Sequence, residues 1–130
     1  MQRRETFAAL GGTALLMTLM QHAAFAEDLT CVPDTLCIDA DCQTGHDDRQ
    51  TVLLRDWTTK RAVLHSDYGD VDVVRTKGAS LMQWSGRNDQ GQTETLTVEP
   101  SSLLFVYVVQ LEPTSAVGKL TTKGACKVTK

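Results

Sequence analysis

The chain has 130 residues, with 13 Lys and Arg against 16 Asp and Glu, for a net charge of −3. That length suits one domain with a modest core. The acidic balance, without a basic patch, excludes nucleic acid as an expected partner, because a phosphate backbone demands clustered Lys and Arg.

Residues 1–26 read as a secretory signal peptide. Arg3 and Arg4 open the segment, an apolar run extends from Phe7 to Met20, and Ala24-Phe25-Ala26 supplies an A-x-A cleavage site. The mature chain is therefore expected to begin near Glu27. The run is too short to span a bilayer, which needs roughly 20 apolar residues. A periplasmic or secreted protein with no stable membrane insertion after cleavage is the expectation.

Three of the four cysteines follow at once in "CVPDTLCIDADC", as Cys31, Cys37 and Cys42, while Cys126 stands near the C-terminus. The spacings C-x5-C and C-x4-C lack the paired ligands of a zinc site and the C-x-x-C of a redox centre. In an exported domain of this size an even cysteine count reads as two disulfides. Four cysteines allow three pairings. The expected one joins Cys31 with Cys126 and Cys37 with Cys42: "LTCV" and "GACKV" look like terminal strands lying side by side, and "CIDADC" closes as a small ring around its own turn. Asp39, Asp41, Asp47 and Asp48 surround Gly45 and His46, but Gln43, Thr44 and Gln50 interrupt the order of a calcium loop. This acidic stretch reads as solvated, and no metal or other cofactor is expected.

From residue 51 on, short β-type runs alternate with turn signals about every ten residues, the pattern of an antiparallel all-β domain. Strands are predicted at 51–57, 61–66, 70–76, 79–85, 92–98, 102–112 and 118–124. "SDYGD" and "TKGA" place glycines where tight hairpins need positive φ, and "GRNDQG" reads as a longer polar tip. In "QTETLTV" the threonines share one face, with Leu96 and Val98 on the other. The run from Leu103 to Leu111 is apolar on both faces apart from Gln110 and reads as a central strand covered on both sides, between Pro100 and Pro113. Residues 27–130 are therefore expected to form a single β domain: a small antiparallel barrel or two-layer sheet of about seven or eight strands, stapled by disulfides.

Catalytic signals are sparse. His65-Ser66-Asp67 gathers the residue types of a triad, but neighbours on a strand point to opposite faces and cannot relay a proton. His46 and His65 remain candidates only for a small hydrolase working with nearby carboxylates. No G-x-S-x-G elbow, H-E-x-x-H helix or phosphate-binding glycine loop occurs. Trp57 and Trp84 suit ligand stacking, yet in a chain with few aromatics they are expected in the core.

The signal segment, the C-x5-C-x4-C cluster, the strand-rich body with "LLFVYVVQ" and the terminal "GAC" resemble a loose group of small exported proteins of alphaproteobacteria. The resemblance implies an exported, disulfide-tied β fold and no particular activity. "LTC", "SLMQWSG" and "GACKV" also resemble segments of the periplasmic inhibitors of c-type lysozyme, which implies a small barrel with a disulfide near its two ends. The S-G-x-x-Y loop of those inhibitors has no counterpart, since Ser85-Gly86 is followed by "RNDQ". The expected function is an exported non-catalytic binding protein of the cell envelope, with an unidentified protein or envelope ligand as partner, or else an inhibitor of the lysozyme type.

Overall fold

A computed structural model describes residues 27–45, 50–76, 80–112 and 114–130. The signal segment, His46, Asp47, Asp48, the Gly78 turn and Pro113 lie outside the described residues. The fold is all-β. Its strands are β1 (Asp28–Ile38), β2 (Asp41–Thr44), β3 (Val52–Arg55), β4 (Arg61–Ser66), β5 (Gly69–Arg75), β6 (Met82–Arg87), β7 (Thr93–Val98), β8 (Leu104–Gln110) and β9 (Lys119–Thr129).

From β3 to β9 each strand pairs antiparallel with the next, and β1 closes the ring by pairing with both β3 and β9. The result is an eight-stranded barrel, with β2 as an extra strand on β1. Closure removes the open edges that a flat sheet of this size would present. One end is capped by Trp57 and Leu103, packed against the core. The other lies where β1 ends at Ile38, β4 turns into β5 and β9 begins.

Strand alternation decides which side chains fill the barrel. Thr93, Thr95 and Thr97 of β7 point outward, whereas Glu94, Leu96 and Val98 are buried inside. Val71 and Val73 of β5 face in between the outward Asp70 and Asp72. Trp84, Phe105, Leu29, Leu54, Leu64 and Leu96 form the largest part of the sealed interior. Each fully buried Leu or Phe stabilises the fold by roughly 1.5–3 kcal/mol relative to exposure.

Both disulfides join residues directly opposite one another on paired strands. Cys31 of β1 bonds Cys126 of β9 inside the barrel, and Cys37 of β1 bonds Cys42 of β2. The expected pairing is therefore the one the fold contains. The first bond closes the barrel seam and ties positions 95 residues apart.

Two expectations need correction. The run at Leu103–Leu111 is not covered on both sides: Phe105, Tyr107 and Val109 are buried, but Leu104 is 58% exposed and Val106 and Val108 are half-buried. A single-layer barrel gives every strand one inner and one outer face, so no second layer covers the outer one. The pieces read as "GKLTTKG" and "GACKV" are one eleven-residue strand, β9. Gly124 allows this continuity, because a Cβ there would sit 2.2 Å from the carbonyl oxygen of Val32 and 2.9 Å from Pro33 Cα. Beside it β1 runs through Pro33, with the register shift of a bulge between Pro33 and Thr35.

Candidate functional site

The interior is apolar except around Glu94. Its place between outward threonines on β7 sends its carboxylate into the barrel, where the residue is fully buried. Three neutral groups donate to it. Ser66 Oγ lies 3.1 Å from Oε1, the Tyr107 phenol donates to the same oxygen, and Asn88 Nδ2 lies 2.9 Å from Oε2. Burying a carboxylate is costly unless such bonds replace its water. No Lys, Arg or His is among these partners.

The loop from Asn88 to Gln92 supplies the third donor by turning Asn88 inward. The Asn88 side-chain Oδ1 accepts from the backbone N–H of Gln90 and Gln92, each at 3.0 Å, and Nδ2 also donates to Gln92 Oε1 at 3.0 Å. "GRNDQG" forms the polar tip between two strands that its sequence predicts, but its asparagine is only 7% exposed and acts as an internal strut.

Above Ser66 and Tyr107 the barrel opens into a cavity of about 280 Å³. Leu36, Val52, Val109 and Leu120 form its apolar walls, and Ile38, Gln50, Asp67 and Tyr68 stand around its mouth. Thr122 of β9 lines it too. This residue is 6% exposed, yet its hydroxyl has no hydrogen-bond partner among the described residues. Both of the chain's two tyrosines line the same space.

The electrostatics are one-sided. Burial, followed by the hydrogen bond to Glu94, pushes the Tyr107 phenol far above its usual range. Burial raises Tyr68 as well, with the nearby carboxylates of Glu94 and Asp67 adding to the shift. Both phenols therefore keep their protons at neutral pH. The apolar walls with a few convergent polar groups are the usual make-up of a small-molecule site.

The residues singled out from sequence sit elsewhere. His65 points outward and pairs with Asp70 across the β4–β5 ladder, while Ser66 beside it points into the barrel. The expected separation of the His65-Ser66-Asp67 set by strand geometry is what the structure contains. The hydrogen bond from His65 is the main cause holding the Asp70 carboxyl below its ordinary value. Trp84 is sealed in the core, and Trp57 packs half-buried against it. The Asp39 carboxylate accepts from the backbone N–H of Gly118 and of Lys119, each at 3.0 Å, and so ties the β1–β2 turn to the start of β9. Among the described residues, no group of three or more His, Cys, Asp or Glu is arranged to hold a metal ion.

Glu94, Ser66, Tyr107 and Thr122 went unrecognised in the sequence. One signal was available: in "QTETLTV" Glu94 shares the face of Leu96 and Val98, so the alternation that buries them also buries a carboxylate. Its partners come from β4, β8 and the β6–β7 loop, and only the closed register brings them together. No protein-family model, curated protein or solved structure matches this chain.

Proposed function

We propose that this is an exported, non-catalytic binding protein of the cell envelope that holds a small ligand at the open end of its barrel. The observation that carries the reading is the cavity of about 280 Å³ above Tyr107 and Thr122, apolar in its walls and polar at its floor. The signal-like residues 1–26 and two disulfides, bonds that persist in oxidising compartments, support export.

Fractionation of expressing cells, followed by native mass spectrometry of the periplasmic protein, tests this reading. The expected result is a processed chain beginning near Glu27 that retains a small molecule, and loss of that molecule in Leu120→Trp, which fills the cavity. An unprocessed cytoplasmic chain would overturn export, and a retained molecule unaffected by Leu120→Trp would overturn the site. A lysozyme assay separates this reading from the inhibitor that the resemblance implies. No inhibition at micromolar protein is expected, since Ser85, Gly86 and Arg87 lie within β6 and not on a loop.

A further inference from the structure

The hydrogen-bond inventory of the cavity floor specifies what a ligand there must bring. Tyr107 donates its one side-chain proton to Glu94 Oε1, and Ser66 directs its own to that oxygen and towards the Tyr107 phenol oxygen. What both oxygens have left to offer the cavity is acceptor capacity. Ser66 Oγ also accepts from the Tyr68 backbone N–H at 3.2 Å, which leaves it one lone pair. The hydroxyl of Thr122, buried with almost no accessible surface and without a partner among the described residues, has unused bonds that a ligand reaches only if the side chain turns about Cα–Cβ. At the mouth stands the Asp67 carboxylate, and no Lys, Arg or His lines the cavity among the described residues.

The site is thus acceptor-rich, carries a buried carboxylate behind its floor and has no internal counter-charge. An anion entering it would face Glu94 and Asp67 in a poorly hydrated space, where like charges repel strongly. A neutral apolar molecule would fill the walls but leave Thr122 unpaired, as it is in the empty protein, and so would gain nothing there. An ammonium brings three donors and one positive charge on a compact head. Its bonds to these oxygens would be charge-assisted, and the apolar walls would take up the rest of the molecule.

Resting on the cavity reading above, we propose that the open end of the barrel binds a small amphiphilic cation: a primary amine carrying a compact apolar body. The head group lies against Tyr107, Ser66 and Thr122, and the apolar body lies against Leu36, Val109 and Leu120. Glu94 acts as a positioning residue, since it fixes the protons of Tyr107 and Ser66 and supplies charge from behind them.

Three probes of nearly equal shape separate the alternatives: phenethylammonium, 2-phenylethanol and phenylacetate, titrated into the disulfide-intact protein by NMR and calorimetry. Phenethylammonium is expected to shift the amides around Ser66, Tyr107 and Thr122 saturably and to bind at least about tenfold more tightly than the alcohol. Phenylacetate is expected to bind most weakly. If the alcohol or the carboxylate shifts the same amides with equal or higher affinity, the cavity is a site but the cation inference fails. If none of the three shifts these amides, the cavity reading and the inference fail together.

Two substitutions sharpen the test. Thr122→Val keeps the shape and removes a hydroxyl that the empty protein leaves unpaired, so its melting temperature should rise while amine affinity falls by about threefold or more. Unchanged amine affinity in this variant would overturn the placement of the head group. Glu94→Gln should bring the amine and the alcohol to nearly equal affinity. Should that variant fail to fold, the Thr122→Val result still decides the proposal.

Discussion

Tyr107 and Glu94 meet inside the barrel across 13 residues of sequence, the phenol of one donating to the carboxylate of the other. They are not a directly opposed pair: Tyr107 faces Leu96, and Glu94 faces Val109, on the adjoining strands β8 and β7. Both sit on the inner face, two positions apart in register. The diagonal neighbour on the same face is within reach of a long aromatic side chain. Tyr107→Phe leaves a fully buried carboxylate short of one donor. It should cost roughly 1.5–3 kcal/mol in urea unfolding, the range for a hydrogen bond to a charged group. Ser85→Ala removes a 3.0 Å bond to Thr95 on the outer face. Its cost should stay below about 0.5 kcal/mol. Equal costs for the two would mean that the Tyr107 bond carries no special weight.

The two disulfides should differ in weight because they close loops of different length. Their sequence separations are 95 for Cys31–Cys126 and 5 for Cys37–Cys42. On the chain-entropy model the long loop is worth about 4 to 5 kcal/mol and the short one about 2 kcal/mol. Replacing Cys37 and Cys42 together by Ala should therefore leave a folded barrel, whereas replacing Cys31 and Cys126 should remove most of its stability. Equilibrium denaturation of the two double variants checks the order, and the reverse order would contradict it.

Gly124 lies where the backbone of β1 leaves no room for a side chain on β9. A methyl there would meet the Val32 carbonyl oxygen at 2.2 Å, and Phe105 at 3.0 Å on the other side. The first contact is backbone, fixed beside the bulge at Pro33, and it cannot swing away. Gly124→Ala should destabilise by about 1–3 kcal/mol or more, the usual cost of overpacking. Gly69→Ala, in open space but at φ +94, is the useful contrast. Its penalty comes from the backbone conformation and not from a clash, whereas at Gly124 the clash makes Gly124→Val worse than Gly124→Ala.

Glu99 organises the β7–β8 connection. Its carboxylate accepts from the Ser101 hydroxyl at 2.7 Å and from the Ser102 backbone N–H at 2.6 Å, and these bonds hold its carboxyl at about 2 instead of the ordinary 4.5. Because the folded value is the lower one, the stabilisation is fully present above pH 4.5 and is lost as pH falls towards 2. The Asp70 carboxyl, also lowered, adds to the same loss. Glu99→Gln keeps an acceptor but cannot titrate. Its stability should fall less steeply than wild type across that acid window, and parallel curves would show that Glu99 contributes nothing to the slope.

Much of this fold was legible in the sequence because alternation with period two is a strong signal when one face is buried. The body strands at 61–66, 70–76 and 92–98 were placed within a residue or so, and the side-by-side terminal strands with their cysteines followed from "LTCV" and "GACKV". What stayed hidden depended on closure. The bulge beside Pro33 carries β1 through the cysteine cluster to Ile38. Apolar residues on both faces of β8 suggested a covered centre, but a barrel wall has only one inner side. The floor of the cavity was hidden for the same reason. Glu94, Ser66, Tyr107 and Asn88 each look like ordinary strand or turn residues until the ring brings them within hydrogen-bond distance.

The most direct test of the amine-binding cavity is to measure intermolecular nuclear Overhauser contacts between phenethylammonium and the folded, oxidised protein. Contacts are expected from the aromatic ring to the methyl groups of Leu36, Val109 and Leu120, together with contacts from the methylene beside the nitrogen to Thr122. Contacts confined to the outer face, such as Leu104 or Val106, or a ring placed in the cavity with its nitrogen turned away from Thr122 and Tyr107, would contradict it.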